Sequence, residues 1–228
     1  MKKVIPFIAT IFLLCSCANK NIPSDIKDFV NAIDFRFARD HLESGSFTQT
    51  YKEHINGEVS GENSIDFTFS YINQKPEFHA LFTYNGNQIK NNITKKEVSL
   101  IYNNDETYNF TVSINDEPTT SKLDYLSAYE YYYKIYDSQE NSFRVGGLYY
   151  GDFIAINMNK FYKLYSLNDD KTELEVREEN ARYSENLSLS QDIKIDKYGM
   201  LLYKKEHATG TKTSDEGILI QNASYIYN

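Results

Sequence analysis

Three stretches of this chain alternate apolar and polar residues with a period of two, and that alternation constrains the fold more than any other feature. Ile65, Phe67, Phe69 and Tyr71 are interleaved with Asp66, Thr68 and Ser70; Phe78, Ala80, Phe82 and Tyr84 repeat the phase; Tyr108, Phe110, Val112 and Ile114 face Asn109, Thr111 and Ser113. Successive strand residues point to opposite faces, so each stretch is a β-strand with one dry and one wet side. A dry face must be covered by another layer. The Asn56-Gly57 and Asn85-Gly86 pairs supply the positive backbone angles of tight hairpins, so neighbouring strands are expected to be antiparallel.

The remaining chain reads in the same way. Ile26, Phe29, Val30, Ile33 and Phe37 recur at three- and four-residue steps after a cap at Ser24 or Asp25, predicting a helix over about 24–43 with Gly45 as its stop. Pro118 closes the first set of strands. From Ser121, the run Leu123, Leu126, Tyr129, Tyr133, Tyr136 predicts a second helix ending near Asp137. Strand patterns resume at 152–158, 160–167, 172–178, 186–195, 199–206 and 217–227. Asp196-Lys197-Tyr198-Gly199 is a turn, and Thr209 to Gly217 is a polar loop. With no shift of composition to mark a boundary, residues 24–228 read as one α+β domain. Its expected architecture is a large curved antiparallel sheet, with an N-terminal helix and one inserted central helix.

The amino terminus carries a different kind of information. Lys2 and Lys3 precede an apolar run from Val4 to Cys15 that is shorter than the roughly 20 residues a spanning helix needs. Leu14-Cys15-Ser16-Cys17 resembles the lipobox of bacterial lipoproteins, with an aliphatic residue, a tolerant position, a small residue and then the cysteine. The resemblance implies that residues 1–16 are a signal peptide, that Cys17 receives the lipid, and that 17–23 form a tether ending in Pro23. It also implies an extracytoplasmic protein whose partner is a bacterial membrane, held there through that lipid. Two or three acyl chains hold a protein far more firmly than one. Loss of the signal takes two lysines with it, so the formal charge goes from −8 to −10. Such an acidic chain lacks the basic stripe that nucleic acid requires.

No chemistry-bearing constellation stands out. His41, His54, His79 and His207 have no second ligand at chelating spacing, and both cysteines lie in the lipobox region. Asn168 to Glu173 is rich in oxygen ligands but lacks the glycine and the twelfth-position glutamate of a calcium loop. No nucleophile elbow, phosphate loop or dinucleotide fingerprint occurs. The expectation is a non-enzymatic binding protein without metal or cofactor.

The order of elements, ending in Asp196-Lys197-Tyr198-Gly199-Met200-Leu201, is similar to the LolA/LolB and LppX-type carriers. In those proteins a half-open barrel holds acyl chains against a helical lid. That resemblance implies an apolar or amphipathic ligand on the sheet. Phe and Tyr make up 15% of the residues while Trp is absent, and the aromatic residues placed to line such a site are Phe67, Phe69, Phe82 and Phe110, with Tyr129 and Tyr133 on the lid. The competing expectation is a surface scaffold whose core is filled.

Overall fold

The computed structural model describes residues 22–133, 135–136, 142–143, 148–151, 154–155, 164–184, 187–210, 213 and 215–228. The N-terminal helical pattern is broken into two helices, α1 (Ser24–Ala32) and α2 (Phe35–His41), not one. At Ile33 the backbone turns extended, and the Asp34 carboxylate accepts the Arg36 amide at 2.9 Å, capping a new helix in mid-pattern. Ile26 and Phe29 are the residues α1 buries.

Strands then follow directly: β1 (Leu42–Ile55), β2 (Glu58–Ile72), β3 (Lys75–Gly86), β4 (Lys95–Tyr102), β5 (Tyr108–Ile114) and β6 (Glu117–Leu123). Gly45 is not a helix stop but a residue of β1. It faces Phe69 across the ladder, and a Cβ there would lie 2.6 Å from the Phe69 ring. The β1–β2, β2–β3 and β5–β6 hairpins turn on Asn56-Gly57, Asn73-Gln74 and Asn115-Asp116, each pair with positive φ at both residues. Asn85-Gly86 makes no such hairpin. There β3 ends and the chain returns through 87–94, because Gly86, at φ +57°, brings its backbone against the Ser60 carbonyl, and the Asn87 amide donates to that carbonyl at 2.9 Å.

The inserted helix, α3 (Tyr125–Tyr133), starts later than its pattern predicts. Residues 117–123 complete β6 on the free edge of β5, and the Asp124 carboxylate caps the helix by accepting the Ser127 amide at 2.8 Å. A two-stranded ribbon, β7 (Ile135–Tyr136) and β8 (Ser142–Phe143), comes next. Within the expected strand 152–158, Ile154 and Ala155 are helical instead, with the Ile154 amide donating to the Tyr150 carbonyl four residues back; 152–153 and 156–163 lie outside the described residues. The remaining strands are β9 (Leu164–Leu167), β10 (Glu173–Ser184), β11 (Leu187–Asp196), β12 (Leu201–Gly210) and β13 (Glu216–Tyr227). Since Ala208 to Gly210 and Glu216 to Gly217 are strand, the polar loop expected from Thr209 is shorter than its composition implies.

These strands form one open antiparallel sheet in the order β6-β5-β4-β3-β2-β1-β13-β12-β11-β10-β9. Two meanders, β1 to β6 and β9 to β13, are thus joined at their first and last strands, Phe47 opposite Ala223 and Tyr51 opposite Leu219. One face is dry along much of its width. Phe47, Phe67, Ala80 and Val98 form a continuous cross-strand row, flanked by Phe69, Phe78 and Leu100; Leu174, Val176, Ile193 and Ile195 fill the other half. Ala128 and Tyr132 of α3, together with Leu148 and Ile154, are buried in the same core. The opposite face is wet and laced by pairs such as Ser64 with Thr83 at 2.7 Å, Thr111 with Thr120 at 2.9 Å and Arg177 with Asp192 at 2.6 Å. The exposed edge strand β6 carries Pro118 and Lys122, which discourage pairing with another chain.

Candidate functional site

Helix α3 lies over β3, β4 and β5 on the dry face. It divides the aromatic residues expected to line a site into two groups. Phe67, Phe69 and Phe82 are 2%, 4% and 1% exposed, so the core encloses them. The Phe69 ring sits over Gly45 and near Phe67 at 5.3 Å and Tyr132 at 6.3 Å, each pair at an ordinary aromatic contact distance. Phe110 and Tyr129 are different. Phe110 is half-buried and stacks on Tyr131 of α3 at 4.2 Å, while Tyr129 is exposed and meets Tyr71 at 6.3 Å and Tyr125 at 6.1 Å. The Tyr71 and Tyr125 hydroxyls share a hydrogen bond of 3.1 Å; burial first, then that bond, pushes the Tyr71 hydroxyl well above its ordinary pKa. Leu126, at 74% exposed, completes an apolar outer side of the helix. The side chain of Tyr133 and the whole of Cys17 lie outside the described residues.

The dry face also carries a feature that the sequence reading missed. In the phase of the core residues, a row runs Val176, Ile193, Lys204, Gln221, Gln49, Ile65, Phe82, and the next runs Glu178, Gln191, Glu206, Leu219, Tyr51, Asn63. Polar groups therefore occupy inward positions across β11, β12, β13, β1 and β2. The Lys204 ammonium bonds the Glu206 carboxylate at 2.8 Å and the Tyr150 hydroxyl at 3.2 Å; Gln191 donates to Glu206 at 2.8 Å, and Gln221 to Gln49 at 2.7 Å. Burial alone would lower the Lys204 pKa, but the Tyr150 and Glu206 oxygens outweigh it and raise it. Burying each polar group without full compensation costs about 1–3 kcal/mol, so an inward polar strip on an otherwise apolar face is expensive for folding alone. Its signal was present in sequence: Gln49 follows Phe47 in phase, Gln191 precedes Ile193, and Gln221 precedes Ala223.

Other candidate features are structural. Asp196 anchors its turn by accepting the Tyr198 and Met200 amides, each at 2.9 Å, and the Tyr227 hydroxyl; burial pushes its carboxyl pKa up against the pull of those bonds. Asn168 organises the 168–173 turn by accepting the Thr172 amide at 2.8 Å and that of Glu173 at 2.9 Å. Among the described residues no group of three or more histidine, cysteine or acidic side chains could hold a metal ion. His41, His79 and His207 contact Asn228, Glu97 and Glu216 respectively. A shallow depression of about 290 Å³, lined by Thr68, Ser70, Glu77, His79 and Ile101, opens on the wet face, away from α3. Among the described residues no helix is long and apolar enough to cross a membrane.

No protein-family model matches the chain, and no curated protein matches it. Among solved structures it is similar to a DUF1329 family protein from Desulfovibrio piger, at 13% identity, covering 88% of this chain and 93% of that chain with a TM-score of 0.26. So low a score carries no argument, and function rests on the geometry.

Proposed function

We propose that this protein is a membrane-anchored extracytoplasmic lipoprotein, lipidated at Cys17, without enzymatic activity, whose sheet binds an apolar or amphipathic ligand. In this reading the sheet acts as a half-open barrel and α3 as its lid. One observation carries it: α3 covers the dry face of β3 to β5 yet leaves an aromatic seam, with Phe110 half-buried beneath Tyr131 and Tyr71, Tyr125 and Tyr129 clustered at its margin. A lid that only closed a core would bury such rings, since each stabilises by roughly 1.5–3 kcal/mol when fully withdrawn from water. The seam is where an acyl chain would enter. Delipidated protein is expected to take up a fluorescent fatty acid and to carry bound lipid in native mass spectrometry. Tyr129→Ala should weaken uptake while far-UV circular dichroism is unchanged.

The alternative, a surface scaffold with a filled core, is favoured by the near-complete burial of Phe67, Phe69 and Phe82. Well-folded protein with neither bound lipid nor probe uptake would replace the carrier with the scaffold.

A further inference from the structure

We infer that the inward polar strip of Gln49, Gln191, Lys204, Glu206 and Gln221, edged by Tyr51, binds an uncharged polyhydroxylated group: either a free oligosaccharide or the sugar head of a glycolipid. This rests on the proposed binding function and names the chemistry of the ligand's polar end.

Three observations bear on it. The strip lies on the same face as the apolar core, one residue row beyond Phe47 and Phe67, so a single ligand can contact both. Its polarity is not used up internally: the Gln221 Oε1 is buried and has no hydrogen-bond partner among the described residues, although its Nε2 is engaged by Gln49. Buried acceptors are almost always paired, so an orphan calls for a donor from outside the fold. The last torsion of a glutamine is broad, and Gln221 is only half-buried, so its amide can turn to meet an entering hydroxyl.

Charge and dimensions then choose the ligand. Within the strip itself the one ammonium, Lys204, is already neutralised by Glu206, with Glu178 further along the Glu206 row, and the buried Lys96 in the Lys204 row lies beyond Phe82 on β4, so the strip's own residues offer no surplus positive charge to a phosphate or carboxylate. Carboxamides and a carboxylate, by contrast, offer both donors and acceptors to hydroxyls. From β11 to β1 the strip crosses three strand spacings of about 4.8 Å each, or roughly 14 Å. That is the footprint of an extended polyol rather than of one ammonium or one hydroxyl. Tyr51 and Tyr150 at its margins add aromatic surface beside the hydrogen-bonding groups.

Isothermal titration calorimetry on the delipidated protein, with dodecyl maltoside below its micelle concentration, with maltose, cellobiose and chitobiose, and with dodecanoic acid, separates the possibilities. Saturable binding of the maltoside that exceeds dodecanoic acid by about tenfold or more, the scale of one or more hydrogen bonds, supports the inference with a glycolipid as source. Binding of a disaccharide as tight as the maltoside supports it with a free sugar as source. In either case Gln221→Leu should weaken binding about tenfold with the melting temperature maintained. Gln49→Leu is a second, independent variant expected to do the same. Equal binding of dodecanoic acid and maltoside overturns the polar-head inference and leaves the carrier reading standing; no binding of any probe overturns both. Wild-type affinity in both glutamine variants also overturns it.

Discussion

Gly45→Ala tests the central packing of the sheet with one methyl group. Gly45 has no positive φ, so alanine is acceptable to its backbone, and loss of unfolded-state freedom alone would stabilise the fold by about 0.4–1 kcal/mol. The surroundings reverse that sign. The new Cβ would meet Phe69 Cζ at 2.6 Å, Phe69 Cε1 at 2.8 Å and the Ser224 carbonyl oxygen at 2.7 Å, whereas carbon atoms settle at about 3.5–4.0 Å. The ring would have to retreat by roughly 1 Å, toward Phe67, Tyr132 and Tyr225, whose centroids lie 5.3, 6.3 and 6.5 Å away. The Ser224 oxygen belongs to β13, which pairs with β1 across this position, and cannot yield without disturbing that pairing. Overpacking of this kind costs about 1–3 kcal/mol, which exceeds the entropic gain. The net loss is expected to be about 1–2 kcal/mol, read as a fall of roughly 2–8 °C in melting temperature for a domain of this size. Combining it with Phe69→Leu should give a smaller loss than the sum of the single changes, since the shortened side chain vacates the space the methyl needs. A Gly45→Ala protein as stable as the parent, or strict additivity in the double variant, would refute the seating of Phe69 over β1.

Two further outcomes follow from other parts of the chain. The Lys122 ammonium, 2.7 Å from Asp105, and then the Thr107 hydroxyl hold the Asp105 carboxyl down at about 2; a depressed pKa contributes stability above the ordinary carboxylate range and loses it as pH falls toward 2, so Lys122→Ala should raise the pKa in an NMR titration and shrink that acid sensitivity. An unchanged value would assign the effect to Thr107 instead. Cys17→Ser should abolish palmitate labelling and leave an uncleaved or soluble product; persistent labelling, lost instead in Cys15→Ser, would move the lipidation site.

What the sequence determined by itself was whatever depends on neighbours a few residues apart. The period-two runs identified β2, β3 and β5 because alternation is a local consequence of the pleat, and Asn56-Gly57 and Asp196 to Gly199 announced their turns through backbone preferences of the residues themselves. The antiparallel character followed from those turns. Tertiary contacts decided the rest. Apolar spacing could not foresee that Asp34 would recap the first helix, nor that the edge of β5 would claim 117–123 as a strand before the helix began, since both outcomes depend on which partner wins a hydrogen bond. Gly45 carried a helix-stop signal, yet its role is to make room for a ring some 24 positions along the chain. The pairing of β1 with β13 is the extreme case: it joins the two meanders in the middle of the sheet through strands more than 150 residues apart in sequence, and no local pattern encodes it. Gln49, Gln191, Lys204 and Gln221 became a single polar strip only through that pairing, because residues scattered along four strands share a face and a row only once the register is fixed.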